Sequence, residues 1–344
     1  MKKILVVLLT FSMLCGCQNK KDDGVVKIGV IAPLTGFASL PGEMCVKGLK
    51  VAQEDESLNF EYLIVDCKSS TKDALSAYRS LYDEGVRYFI VCGGKFAMAI
   101  APLIKDKDVI MFATGTPNLE LLDVTNRCFR FHPNANSVND KLVTFAQKQF
   151  NSGNGAIIYL QTDAYASYAD VFEEMTKTKG KIILKEGYDV TQKDFKLIIA
   201  KIAETIPDYI YLPGLGESVL NLTKQLLTDP RTANTPIIGD MNFSLPNTKL
   251  IIPKTNNPIF YVDAEMSEDF VRRYHEIYQQ NPNAFSYYTF LIPYILNDAL
   301  EVNENQIIDQ INYIKQTEFN IFSQIISFDD KGEINLPLNI YSLY

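Results

Sequence analysis

A chain of 344 residues, 47% of them hydrophobic, can bury a large core, and at this length the core is expected to divide between two lobes. The formal charge of −8, with no basic cluster to follow a phosphate backbone, argues against nucleic acid as a partner. Only two histidines and no CxxC spacing argue against a metal site.

The chain opens with Lys2 and Lys3, then an apolar run from Ile4 to Leu14, too short to cross a bilayer as a helix. Leu14-Cys15-Gly16-Cys17 follows and resembles a bacterial lipobox, with Cys17 as the lipidated first residue of the mature chain. Residues 1–17 then form the signal segment and residues 18–25, polar from Gln18 to Gly24, a tether. Loss of Lys2 and Lys3 takes the charge from −8 to −10. The expected location is outside the cytoplasm, lipid-anchored at the cell envelope.

From Val26 the pattern alternates. β-branched and apolar runs predict strands at Val26–Ile31, Phe60–Val65, Val86–Val91, Val109–Phe112, Ala156–Tyr159, Lys181–Lys185, Tyr209–Leu212 and Pro236–Gly239. Segments of helical spacing lie between most of them, for example Leu75, Tyr78, Leu81 and Tyr82 on one face. Such alternation predicts an α/β fold of βαβ units with parallel sheets. Phe129-Arg130-Phe131-His132-Pro133-Asn134 reads as an extended crossover between the halves. Helices are expected near Ser267–Gln279 and Tyr288–Val302, and a closing strand pair at Ile325–Phe328 and Leu338–Ser342, joined through Asp329-Asp330-Lys331-Gly332.

Enzyme signatures fail. Cys92-Gly93-Gly94-Lys95 lacks the glycine and the Ser/Thr of a phosphate-binding loop, Gly214-Leu215-Gly216 lacks the third glycine of a dinucleotide fingerprint, and there is no GxSxG. His132 sits beside Pro133, where packing at a crossover is expected, and His275 lies in a charged helix. No catalytic residue and no cofactor are therefore expected.

Ligands of open α/β sheets sit beyond the carboxyl ends of the strands. The loops there are rich in Gly, Thr, Asn, Asp and Tyr: 32–36, 92–95, 113–118, 162–165, 213–217 and 239–242. Gly93 and Gly94 separate a buried run from a helix start, where bare N–H groups suit an anion. The expected ligand set is Gly93, Gly94, Lys95, Thr114, Gly115, Thr116, Tyr165, Leu215 and Asp240. Amides at Gly94 and Lys95 and hydroxyls of Thr114 and Thr116 would take a carboxylate. Tyr165 and Tyr211 would cover it, with Asp240 or Glu217 facing an ammonium. Cys67 and Cys92 end successive strand candidates, so a bridge between them is geometrically natural in an exported protein. Whether Cys45 pairs with Cys128 stays open.

The order of these segments resembles the type I periplasmic binding proteins of the leucine/isoleucine/valine-binding family. Lys27-Ile28-Gly29-Val30-Ile31-Ala32-Pro33-Leu34-Thr35-Gly36 is similar to that family's opening strand and loop, and Gly48-Leu49-Lys50-Val51-Ala52 to its first helix. Cys67 and Cys92 match its disulfide, Thr114 to Asn118 its ligand loop, Phe129-Arg130 its crossover, Tyr165-Ala166 its Tyr-Gly, and Phe328 to Gly332 its closing turn. The resemblance implies two Rossmann-like lobes joined by three crossovers, 26–133 with 260–318 and 134–259 with 319–344. It also implies capture of an amino acid or similar solute for a membrane permease and its ATPase. The serine that the family places after the second cysteine is replaced by Gly93 or Gly94. That loss leaves room for an alternative, the same fold used for protein contact or enzyme activation without a small ligand.

Overall fold

The computed structural model describes residues 25–344, apart from 119, 151, 152, 179 and 303–305. The expected signal segment, Cys17 and the tether up to residue 24 lie outside the described residues.

The first half runs β1 (Val26–Ala32), α1 (Ser39–Gln53), β2 (Phe60–Asp66), α2 (Thr71–Asp83), β3 (Tyr88–Cys92), α3 (Gly94–Ile104), β4 (Ile110–Thr114), α4 (Leu121–Val124) and β5 (Cys128–Phe131). β3 and β4 are buried along their whole length, as parallel strands covered by helices on both faces must be. The strands pair in the order β2-β1-β3-β4-β5, all parallel. The residues expected to be a bare crossover thus supply an edge strand first.

The second half continues with α5 (Ala135–Gln149), β6 (Asn154–Leu160), α6 (Asp163–Thr176), β7 (Lys181–Tyr188), α7 (Lys196–Thr205), β8 (Tyr209–Leu212), α8 (Gly216–Thr228), β9 (Ile237–Gly239), α9 (Thr248–Ile251) and β10 (Ile259–Ala264). α5 and α6 begin at Asn134 and Thr162, whose side-chain oxygens accept from the amides of Ser137 and Tyr165 at 2.9 and 3.4 Å. β10 pairs parallel with β9, so the second sheet keeps the chain to Ala264 rather than releasing it at residue 259.

After that come α10 (Glu268–Tyr278), α11 (Ala284–Val302), α12 (Ile307–Gln316), β11 (Phe319–Ile321), β12 (Gln324–Phe328), β13 (Ile334–Asn335) and β14 (Leu338–Ser342). The expected closing pair does not form. β12 pairs with β11 and β13 in a small separate sheet, while β14 runs antiparallel to β10 and completes the order β14-β10-β9-β8-β6-β7. The turn between them is nevertheless real. Asp329 Oδ1 accepts from the amides of Lys331, Gly332 and Glu333 at 2.8–2.9 Å, and the Gly332 carbonyl accepts from Arg130 N at 2.9 Å, docking the turn on β5.

α11 returns to the first sheet and packs along α1. A Cβ on Gly48 would lie 1.9 Å from the Ser286 carbonyl oxygen, so the two backbones touch there and only glycine fits. Gly48→Ala is expected to lower stability by about 3 kcal/mol, seen as a lower denaturant midpoint at unchanged slope.

All four cysteines of the described residues are buried free thiols. Cys45 and Cys92 belong to the core under α1 and α11, whereas Cys67 and Cys128 belong to the separate core under α2 and α3. The expected Cys67–Cys92 bridge is therefore absent, because alternate strand positions send the two side chains into different cores. The same division keeps Cys45 from Cys128.

Candidate functional site

Each main sheet changes winding direction once, the first between β1 and β3 and the second between β6 and β8. Loops at such switch points diverge and leave a crevice beyond the strand ends. Here the crevices face one another and merge into one cleft of about 550 Å³ of empty space, counted to its open mouth.

The first half contributes Pro33, Gly93, Gly115 and Pro117 from loops after β1, β3 and β4, and Pro41, Gly42 and Cys45 from α1. The second half contributes Tyr165 and Tyr168 from α6, Leu215, and Asp240, Met241 and Asn242 after β9. His132 from the crossover and Phe285 from α11 line it as well.

Gly93 adopts φ of +115°, which side chains rarely allow, and a Cβ on Gly94 would lie 2.8 Å from Thr116 Oγ1. These glycines serve a tight turn over Thr116, and their amides are not bare. Gly93 N donates to the Thr114 carbonyl at 2.8 Å and Gly94 N to the Gly115 carbonyl at 3.2 Å. Of the two amides expected to cradle an anion, those of Gly94 and Lys95, the Gly94 donor is spent within the fold.

Five of the nine expected ligand residues line the cleft: Gly93, Gly115, Tyr165, Leu215 and Asp240. Gly94, Lys95, Thr114 and Thr116 do not. Thr114 Oγ1 lies 3.5 Å from the Cys45 thiol in the core, and Thr116 is buried beneath Gly94 with no partner for its hydroxyl. Lys95 is exposed, donates to the Ser69 carbonyl at 3.3 Å and lies over the Phe37 ring. Tyr211 is buried and donates to Asn139 Oδ1 at 3.0 Å, and Glu217 is exposed outside the lining.

Sequence reasoning left out Tyr168, Asn242, His132 and Phe285. The first was findable, since it lies one helical turn beyond Tyr165 on the same face. Asn242 stands in a loop already singled out. His132 and Phe285 carry no local signal, because their place depends on how the halves dock.

Among the described residues Asp240 is the one carboxyl group in the lining. Asn242 donates to its Oδ1 from N at 2.9 Å and from Nδ2 at 2.7 Å, and Gly214 N donates to its Oδ2 at 3.3 Å. Burial raises its pKa to about 7 despite these bonds, because desolvation penalises the charged form. Asn242 Nδ2 also donates to Tyr165 Oη at 3.0 Å, which leaves Asn242 Oδ1 buried without a partner. His132 Nε2 lies 3.4 Å from Tyr168 Oη, and burial holds the imidazole neutral, down to about 3.

Two sheets wound in the same order about one cleft define a two-lobed binding fold of the kind that holds a solute between its halves. The chain belongs to the periplasmic binding protein family, whose model matches residues 25–302. It is 24% identical over 339 residues to Leu/Ile/Val-binding protein homolog 2 of Brucella abortus (strain 2308), covering 90% of this chain and 88% of the relative. The fold is shared with the leucine-binding protein LivK of Thermotoga maritima at a TM-score of 0.80 and 21% identity, over 92% of this chain and 95% of that one. LivJ of Streptococcus pneumoniae, in complex with isoleucine, superposes at 0.80 with 17% identity, over 92% and 99%. A solute-binding protein of R. palustris in complex with benzoate does so at 0.80 with 15% identity, over 93% and 94%. The family is one of transporter solute-binding proteins and not of enzymes. Among the described residues no helix is long and apolar enough to cross a membrane.

Proposed function

We propose that this chain is the lipid-anchored receptor of an ABC importer, capturing a small solute in the cleft and presenting it to a membrane permease and its ATPase. The single observation that supports this most is the cleft where the two switch points face each other, walled by both halves. We place the first lobe at residues 26–133 and roughly 265–318, and the second at 134–264 and 338–344. The small sheet β11–β13 then sits at the hinge, and the lobes close about the three crossovers. Cys17 holds the lipid.

A module for protein contact alone needs no cleft lined by side chains of both halves, and this one is so lined. Calorimetry of the purified chain against amino acids, amides, amines and aromatic acids, with small-angle scattering for closure, tests the proposal. At least one solute should bind and reduce the radius of gyration. A complete lack of binding and closure across the panel would return the chain to the protein-contact alternative.

A further inference from the structure

The chemistry of the lining narrows the solute that the proposed receptor would take, and any such choice stands on that receptor reading. Among the described residues no lysine, arginine, serine or threonine lines the cleft. The amides of Gly93 and Gly94 are spent on backbone carbonyls. A ligand carboxylate would meet tyrosine hydroxyls, a neutral imidazole and the Gly115 backbone, with no cationic side chain and beside an acidic one. That is a poor exchange for its hydration.

The opposite holds for a donor. Asp240 is 1% exposed and Asn242 4%. Asp240 Oδ2 receives only the 3.3 Å bond from Gly214 N, and Asn242 Oδ1 receives none. The Asn242 amide that bonds Asp240 Oδ1 also carries that orphaned oxygen, and both residues line the cleft. Leu215, Phe285, Pro33 and Pro41 line the rest with apolar surface.

We propose that the cleft takes a small primary amine with an apolar body, its ammonium held by Asp240 Oδ2 and Asn242 Oδ1, and that it discriminates against α-amino acids and carboxylates. The orphaned Asn242 Oδ1 and the singly bonded Asp240 Oδ2 both gain donors in such a complex, whereas an added carboxylate brings a charge with no cationic side chain to meet it.

The groups that sense Asp240 are Tyr165 and Tyr168 on α6, Tyr188 on β7, Tyr211 on β8 and Asp263 on β10. The four phenols are held neutral by burial, and no basic group is among those acting on Asp240. An incoming ammonium therefore makes Asp240 release its proton. Since Asp240 titrates near 7, amine affinity should fall about tenfold per pH unit below that point while the amine stays charged.

The test is calorimetry of the purified chain against primary amines of three to eight carbons, including 3-methylbutylamine and benzylamine, beside leucine and benzoate. The expected result is amine binding at least about tenfold tighter than either carboxylate. At pH 6 it should release close to one proton, read from two buffers of different ionisation enthalpy. Asp240→Asn should lose the amine and the proton release together. Should that variant not fold, the proton count on the unaltered chain decides by itself. Binding of leucine, benzoate or a neutral amide in preference to amines overturns the proposal and leaves the receptor standing. Amine binding without proton release at pH 6 also overturns it. No binding by any solute of the wider panel removes the receptor and this proposal together.

Discussion

Glu333→Ala should cost about 3–5 kcal/mol of stability, the largest loss expected from any single side chain outside the apolar core. Arg130 on β5 is 2% exposed, and its guanidinium pairs with Glu333 while donating to the Asn118 carbonyl. Burial lowers its pKa only to about 10, so it stays charged at neutral pH. Glu333 also accepts from Asn134 N at 3.2 Å, which fastens the start of α5 to the turn before β13. Truncation leaves a buried cation with one carbonyl for company, and Arg130 Nε already lacks a partner. The melting temperature should fall by roughly 6–20 °C, read by calorimetric scanning. Glu333→Gln keeps the acceptor and should lose less than half as much. The double change Arg130→Met with Glu333→Leu removes both charges and should recover most of the loss. A melting point within about 2 °C of the parent for Glu333→Ala would mean that water reaches Arg130 and that the pair does not tie the crossover.

How much of this was legible in the sequence depends on distance along the chain. β8 and β14, predicted at Tyr209–Leu212 and Leu338–Ser342, were placed at those same bounds, and the other predicted strands differ from the structure by one to three residues at an end. Their β-branched runs are set by burial on both faces, a local property. Non-local pairing was not legible. Ile325–Phe328 and Leu338–Ser342 flank a genuine turn and look like a hairpin, yet β14 passes on to β10, some 75 residues away, whose open edge it covers. The cleft divides the same way. Gly93, Gly115, Tyr165, Leu215 and Asp240 lie where strand ends put them. Thr114 and Thr116 occupy the same loop but turn inward, which residue type alone cannot reveal. The misjudged feature was the purpose of Gly93 and Gly94. A double glycine serves a turn and an open cradle equally well, and only the carbonyls of Thr114 and Gly115, from the neighbouring strand, decide between them.

Stability without ligand should pass its maximum near pH 4 and fall toward pH 7, the reverse of an ordinary acidic protein. Asp240 and Asp263 are both raised by burial from 3.8 to about 7, and His132 is lowered from 6.5 to about 3. For the two carboxyls the unfolded chain ionises first as pH rises through 4, so each contributes stability that is whole below that point and lost through about 7. His132 works the other way: the unfolded imidazole takes a proton below 6.5 while the folded one does not until about 3, so its contribution is lost as pH falls. Two protons against one leave a net loss of about 1.4 kcal/mol per pH unit between pH 4 and 6.5. Below pH 4 the sign turns, helped by surface carboxylates such as Asp229, held near 2 by its bonds to Arg231. Denaturant midpoints from pH 3.5 to 8 read the slope directly. Asp263→Asn, away from the cleft, should raise the midpoint at pH 8, leave it little changed at pH 4, and nearly flatten the span between. A cationic ligand should have a related effect at Asp240, stabilising the chain more at pH 8 than at pH 5. A stability that instead climbs steadily from pH 4 to 8 would show both carboxyls hydrated and ionised in the folded chain, and the acceptor wall of the cleft would then need no donor from a ligand.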